Sequence, residues 1–151
     1  MSINSIGRDI GANILTKFAG YGVATAGGTG DATEVDGTTI DMTTFTNRPE
    51  SIAYVVTARA VLADTKSLTV TANLQESSDG STWVDVAAGA VILTLTSDGG
   101  STEVGTGMLK VDLTHSLRYT RIQVTPDLDA TGTDTCTWMC TAVAGGFDRI
   151  G

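Results

Sequence analysis

Aromatic residues are scarce in this chain, at 5%, and so are charges, at 17%; two prolines, two cysteines and one histidine stand among 151 residues. Each shortage excludes something. Two prolines are too few for a disordered Pro-rich chain, and no Ala/Glu/Lys/Leu/Arg-rich block marks a long helix. The one histidine, His115, lies in a Leu-Thr-His-Ser-Leu stretch that reads as a turn, and Ser116 beside it in sequence does not make a triad. Cys136 and Cys140 fall in one expected strand, on the same side but ~13 Å apart at ~3.3 Å per residue. A disulfide needs Cα atoms within ~7 Å, so they read as two small buried hydrophobes, in keeping with a reducing cytoplasm. No segment reaches the ~18 apolar residues of a membrane-spanning helix, and residues 1–11 lack the continuous apolar run of a signal peptide. No membrane partner is expected.

Cations are also few. Nine Lys and Arg face 17 Asp and Glu, a net charge of -8. Phosphate contacts need clustered Lys and Arg, so no nucleic-acid partner is expected. The acid excess reads as a solubility device.

What the chain has in quantity is Thr, with 26 residues, and Gly, with 18. Thr is β-branched and favours a pleated, half-solvated surface, while Gly punctuates turns. The strand pattern follows. Residues 67–77 alternate strictly, with Leu68, Val70, Ala72 and Leu74 on one face and Thr69, Thr71, Asn73 and Gln75 on the other. Ser78-Asp79-Gly80 turns the chain, and residues 82–87 return with either Trp83 or the Val84/Val86 pair facing the core. Residues 51–62 (SIAYVVTARAVL) are apolar nearly throughout, which fits a central strand or one buried on both faces.

Further strands are expected at 38–46, 89–96, 103–113, 117–125 and 133–144. The glycines Gly105 and Gly107 mark a bulge or a close backbone approach. In the last strand Cys136, Trp138, Cys140 and Ala142 share a face. Seven or eight antiparallel strands with regularly spaced turns are the pattern of an all-β sandwich or jelly roll.

Residues 1–35 differ from this body, which spans residues 36–151. Ile3, Ile6, Ile10, Ile14 and Phe18 recur every three or four positions, a helical stripe. Gly7 and Gly11 each weaken such a helix by ~1 kcal/mol, and residues 20–30 (GYGVATAGGTG) read as a flexible Gly-rich linker. This segment is either a short helix packed on its own body or an arm that packs on a neighbouring subunit. Its apolar stripe needs cover.

Chemistry is hard to find. The carboxylates Asp64, Asp79 and Asp98 sit in turns, where Asp holds local backbone N–H groups. Asp127-Leu128-Asp129-Ala130-Thr131-Gly132 begins like a calcium loop but has Trp138 where the bidentate Glu belongs. It reads as an acidic turn. No catalytic, cofactor-binding or metal-ligating set is expected, and no enzyme.

Residues 75–86 (QESSDGSTWVDV), then 117–124 (LRYTRIQV) and a last strand ending in Gly-Gly, resemble the small jelly-roll head decoration or cement proteins of tailed bacteriophages. The resemblance spans roughly residues 65–146. It implies a structural virion protein, assembled in the host cytoplasm, that binds the outer capsid surface as a dimer or trimer and clamps neighbouring major capsid subunits. Ile3, Ile6, Ile10, Ile14 and Phe18 are then the candidate partner-binding residues. The same hairpin Trp also resembles discoidin-like jelly rolls, so the alternative is a carbohydrate- or receptor-binding module. Such binders place aromatics in apical loops, which are poor in aromatics here.

Overall fold

The computed structural model describes residues 13–86, 88–129 and 132–146. Among these residues ten strands form two antiparallel sheets. Sheet A runs β1 (Leu15–Thr25), β10 (Thr135–Gly145), β4 (Ser51–Leu62) and β8 (Ser101–Asp112). Sheet B has β9 (Tyr119–Leu128) and β5 (Ser67–Ser77) at its centre. The short β2 (Val35–Asp36) and β3 (Ile40–Asp41) flank β9; β6 (Val84–Asp85) and β7 (Ala90–Thr96) flank β5. The chain thus passes repeatedly from one sheet to the other, and the last two strands thread back between earlier ones. That winding is the jelly roll, as the alternation and turn spacing predict.

The core lies between the sheets and is fed by the inward half of each period of two. Strand β5 contributes Leu68, Val70, Ala72 and Leu74; β9 contributes Ile122, Val124 and Leu128; β4 contributes Ile52, Tyr54, Val56, Ala58 and Ala60. From β10 come Cys136, Trp138, Cys140 and Ala142, all buried, with both thiols unpaired as expected. Burial without a cationic neighbour pushes these thiols up, to about 11 for Cys136 and about 12 for Cys140. Tyr54 Oη and Thr120 Oγ1 share a hydrogen bond of 2.8 Å that ties sheet A to sheet B across the core.

Both sides of the sandwich are closed by glycine contacts. At one side Gly37 N donates to Ile122 O (2.7 Å) and Thr38 N to Ala19 O (2.9 Å), linking β9 to the outer edge of β1. A Cβ at Gly37 would fall 2.5 Å from Ala19 O, so only glycine fits. At the other side Gly107 of β8 lies against β7, where a Cβ would come within 2.3 Å of Ile92 O. The register of β4 and β8 runs without a shift through Gly105 and Gly107. These glycines therefore serve close approach, not a bulge.

Several expectations need correction. Leu15–Thr25 is a full strand and part of the sandwich, so the body does not begin at residue 36. A register shift between Phe18 and Gly20 changes the phase of side chains and disguises the strand's period of two. Gly20 and Gly22 are not linker residues. They make a flat seat for the Trp138 indole, 2.7 Å from where a Gly22 Cβ would be. The stretch 38–46 holds only the two-residue β3, then a 3-10 turn at Met42–Thr44 capped by Asp41, whose carboxylate accepts from Thr43 N. Neither Trp83 nor Val84/Val86 enters the core: Trp83 stacks under the Arg121 guanidinium at 4.3 Å, and both valines are exposed. Strand β9 runs on through Pro126 to Leu128, past the expected end at residue 125.

Candidate functional site: the outer face of sheet A

The outward side chains of sheet A line up in cross-strand rows. Phe18, Thr141, Val55 and Met108 form one row, Tyr21, Met139, Thr57 and Thr106 the next, and Val23, Thr137, Arg59 and Val104 a third. Val143, Ala53 and Lys110 extend the array toward one end. The apolar members are large and open to solvent: Tyr21 is 69% exposed, Val104 64%, Phe18 53% and Met139 52%. Between them stand threonines. Charge is almost absent, limited to Arg59, Lys110 and, at the far end, Asp112.

Phe18 and Tyr21 contact each other with ring centroids 6.4 Å apart and planes tilted by 44°. Thr57 and Thr106 hydroxyls lie 3.4 Å apart. No ion pair joins Arg59 or Lys110 among the described residues. Near the Asp112 end the face dips into a shallow groove of about 590 Å³, lined by Ile14, Ala53, Met108, Lys110 and Val143. Ile14 stands beside Gly145 at the point where the chain enters β1.

The strand β4 explains why this face was partly visible in the sequence. Its unbroken apolar run fits a strand covered on both sides, yet only its inward side is covered in the single chain. Ala53 and Val55 are half-buried and Val61 is exposed. A contiguous apolar surface of this extent is characteristic of an interaction site.

The other candidates fare differently. Ile14 and Phe18 fall on or beside this face, while Ile3, Ile6 and Ile10 lie outside the described residues. His115 is exposed in the turn after β8, near Glu76, Asp112 and Ser116 at a cavity of about 290 Å³ on the seam between the sheets. These groups are engaged with backbone. Glu76 accepts from Leu117 N (3.0 Å), Asp112 from Thr114 N (2.8 Å), and Ser116 Oγ donates to Leu113 O while accepting from Arg48. No His–Ser hydrogen bond occurs among the described residues, so the cluster has no activated nucleophile.

In the acidic loop, Asp129 Oδ1 accepts from Ser67 N (2.8 Å), a turn role. Among the described residues no three His, Cys, Asp or Glu side chains gather as metal ligands.

No known family model matches the sequence, and no curated protein does. Among solved structures the chain is similar to that of infectious bursal disease virus, Gx strain, at 8% identity and a TM-score of 0.43, over 91% of this chain and 38% of that one. The T13 viral particle of the same virus gives 11% identity and a TM-score of 0.45, over 87% of this chain and 30% of that one. A carbohydrate-binding module of Cellvibrio mixtus lichenase 5A, in complex with cellotriose, gives 14% and 0.31, over 85% and 96%. The chain spans about a third of the length of the viral chains. At these scores the likenesses carry no argument about function, and the jelly-roll assignment rests on the strand order itself.

Proposed function

We propose that this chain is a non-enzymatic structural protein of a virion, a decoration or cement protein that binds the outer surface of a phage head and ties neighbouring major capsid subunits together. One observation supports this reading above the others: the outer face of sheet A is apolar, nearly uncharged and, among the described residues, without a hydrogen-bonded network. A protein that works by adhesion needs such a face and needs no convergent acid, base or nucleophile. One end of the face leads through Ile14 to the N-terminal residues. In this reading Ile3, Ile6, Ile10, Ile14 and Phe18 engage the major capsid protein, each contributing ~1.5–3 kcal/mol when buried. The chain assembles in the host cytoplasm with its thiols reduced and acts as a homo-oligomer, without cofactor or metal.

The test is co-sedimentation of the purified protein with native and decoration-free phage heads. Binding at a fixed stoichiometry is expected, reduced when residues 2–12 are removed. A protein that stays in the supernatant but binds saturably on a glycan array would instead be a carbohydrate-binding module.

A further inference from the structure

We infer that the outer face of sheet A is covered by the same face of a second copy of this chain, in a two-fold, face-to-face dimer. The inference rests on the homo-oligomer part of that reading and narrows it: this face, Phe18 included, is the contact between copies, and Ile3, Ile6, Ile10 and Ile14 are left to the capsid protein. The dimer can be measured with no particle present, so its failure is distinguishable from failure to bind a head.

Size is the first support. Four strands ~4.8 Å apart, with successive outward positions ~6.7 Å apart, make a face of roughly 19 Å by roughly 30 Å. That is about 600 Å² in projection, and side-chain relief brings it toward the ~800 Å² per partner of a standard stable interface. Two such sheets stack about 10 Å apart with strands inclined by about 30°.

Charge is the second. The chain carries a net charge of -8, yet its outward rows on sheet A hold Arg59, Lys110 and one acid, Asp112. Two copies meeting by this face bring few acids against each other.

Arg59 and Asp112 also sit at opposite ends of the face, four outward rows of β4 lying between Arg59 and the Ser51–Asp112 pair inclusive of that last one. A two-fold axis lying in the interface, across the strands at the Phe18–Thr141–Val55–Met108 row, reverses one copy end for end. Arg59 of one copy then meets the Asp112 end of the other. The same rotation sets Met139 over Val143 of the other copy, above the groove that Ala53, Lys110 and Val143 line. A large flexible side chain thus stands opposite a hollow.

The lateral edge of sheet A is a poorer site for a second copy. Along β1 the backbone edge is occupied, with Ala19 O accepting from Thr38 N and Thr25 N donating to Thr29 O.

The experiment is sedimentation equilibrium of the full chain with variants on both outer faces. The wild type is expected to run at twice the chain mass. Met139→Glu and Val104→Glu, each placing a charge in the interface, are expected to weaken association by at least ~10-fold. Thr94→Glu, outward on sheet B, is expected to leave it unchanged. Circular dichroism checks that each variant folds.

A second readout is independent of destabilisation. Val55→Cys puts a thiol on the proposed axis, and a short bis-maleimide should link it to its copy, whereas Ser81→Cys in the far hairpin should not link. Several results would overturn the inference: a wild type that is monomeric at every concentration, equal weakening by Thr94→Glu and Met139→Glu, or a dimer that Val55→Cys does not capture. A dimer lost on removing residues 2–12 but kept in Met139→Glu would assign the contact to the N-terminal segment.

Discussion

The two outer faces of the sandwich share a frame and differ in what their side chains do. On sheet B the outward residues bind one another. Arg121 reaches Asp36 (2.9 Å) and Gln75 (2.8 Å) and covers the Trp83 ring; Gln123 donates to Asp36 (2.8 Å) and receives Asn73 (3.3 Å); Gln75 donates to Asp85 (2.8 Å). Val84, Val86 and Val91 stand exposed at the β6 and β7 side of that face. On sheet A the corresponding positions carry Tyr21, Val23, Val55, Val104, Met108 and Met139, with no comparable network. The same strand pattern thus yields one face linked by its own polar contacts and one left mostly apolar and open to solvent.

The sharpest way to break this comparison uses two neighbours in β10, Trp138 inside and Met139 outside. Trp138→Ala empties the layer beneath Gly22 and should cost about 3–5 kcal/mol, measured by urea unfolding. Met139→Ala should change the stability of the isolated chain by no more than about 0.5 kcal/mol. A large loss from Met139→Ala in a monomer would mean that the outer face is core after all.

Next in size come the polar contacts. Arg121→Ala removes two hydrogen bonds to acceptors and a ring contact at once, so a loss of about 1–2 kcal/mol is expected. Arg59→Ala, its counterpart on sheet A, should fall within about 0.5 kcal/mol in the same urea titration. Tyr54→Phe leaves Thr120 without its inter-sheet partner, and a loss of about 1 kcal/mol is expected. Cys136 and Cys140, both on the inner side and with raised pKa, should resist a thiol reagent at neutral pH until the protein is unfolded. Labelling of the native protein would place them at the wrong face.

Much of the fold was legible because inward and outward residues alternate cleanly in β5 and β10. Leu68 to Leu74 and Cys136 to Ala142 are buried as the period of two requires. Where the alternation is broken, the reading failed. Ile14, just before β1, and Phe18 are four apart, a spacing that a helix and a strand both place on one side, and the register shift at Phe18–Gly20 then breaks the period of two that would have told them apart. Trp83 misled for a different reason. A tryptophan's apolar area is satisfied equally by a core or by the stem and guanidinium of an arginine, and Arg121 is 38 positions distant in sequence. The candidate face was half legible: β4 signalled cover on both sides, but its neighbours' outward residues meet only through the pairing of four strands far apart in sequence.

The smallest effect concerns acid. Asp79 accepts from Ser81 N and Thr82 N (both 2.7 Å) in the turn of sheet B, and Asp41 is held by Arg118, so both carboxyls lie well below the usual carboxylate range. A carboxyl that is more acidic folded than unfolded contributes stability above its unfolded pKa and loses it as pH falls through the folded value. Stability should therefore be level near neutrality and decline only below about pH 4, where unfolded carboxylates begin to protonate. Asp79→Asn should flatten that decline slightly. The outer face of sheet A holds a single carboxylate, Asp112, itself held low chiefly by Thr114. Acid unfolding followed by tryptophan fluorescence, beside sedimentation at the same pH values, separates the two faces. Stability falling before association does would place the acid-sensitive contacts in sheet B and its turns, whereas association lost first would put them on the face that carries almost no acid.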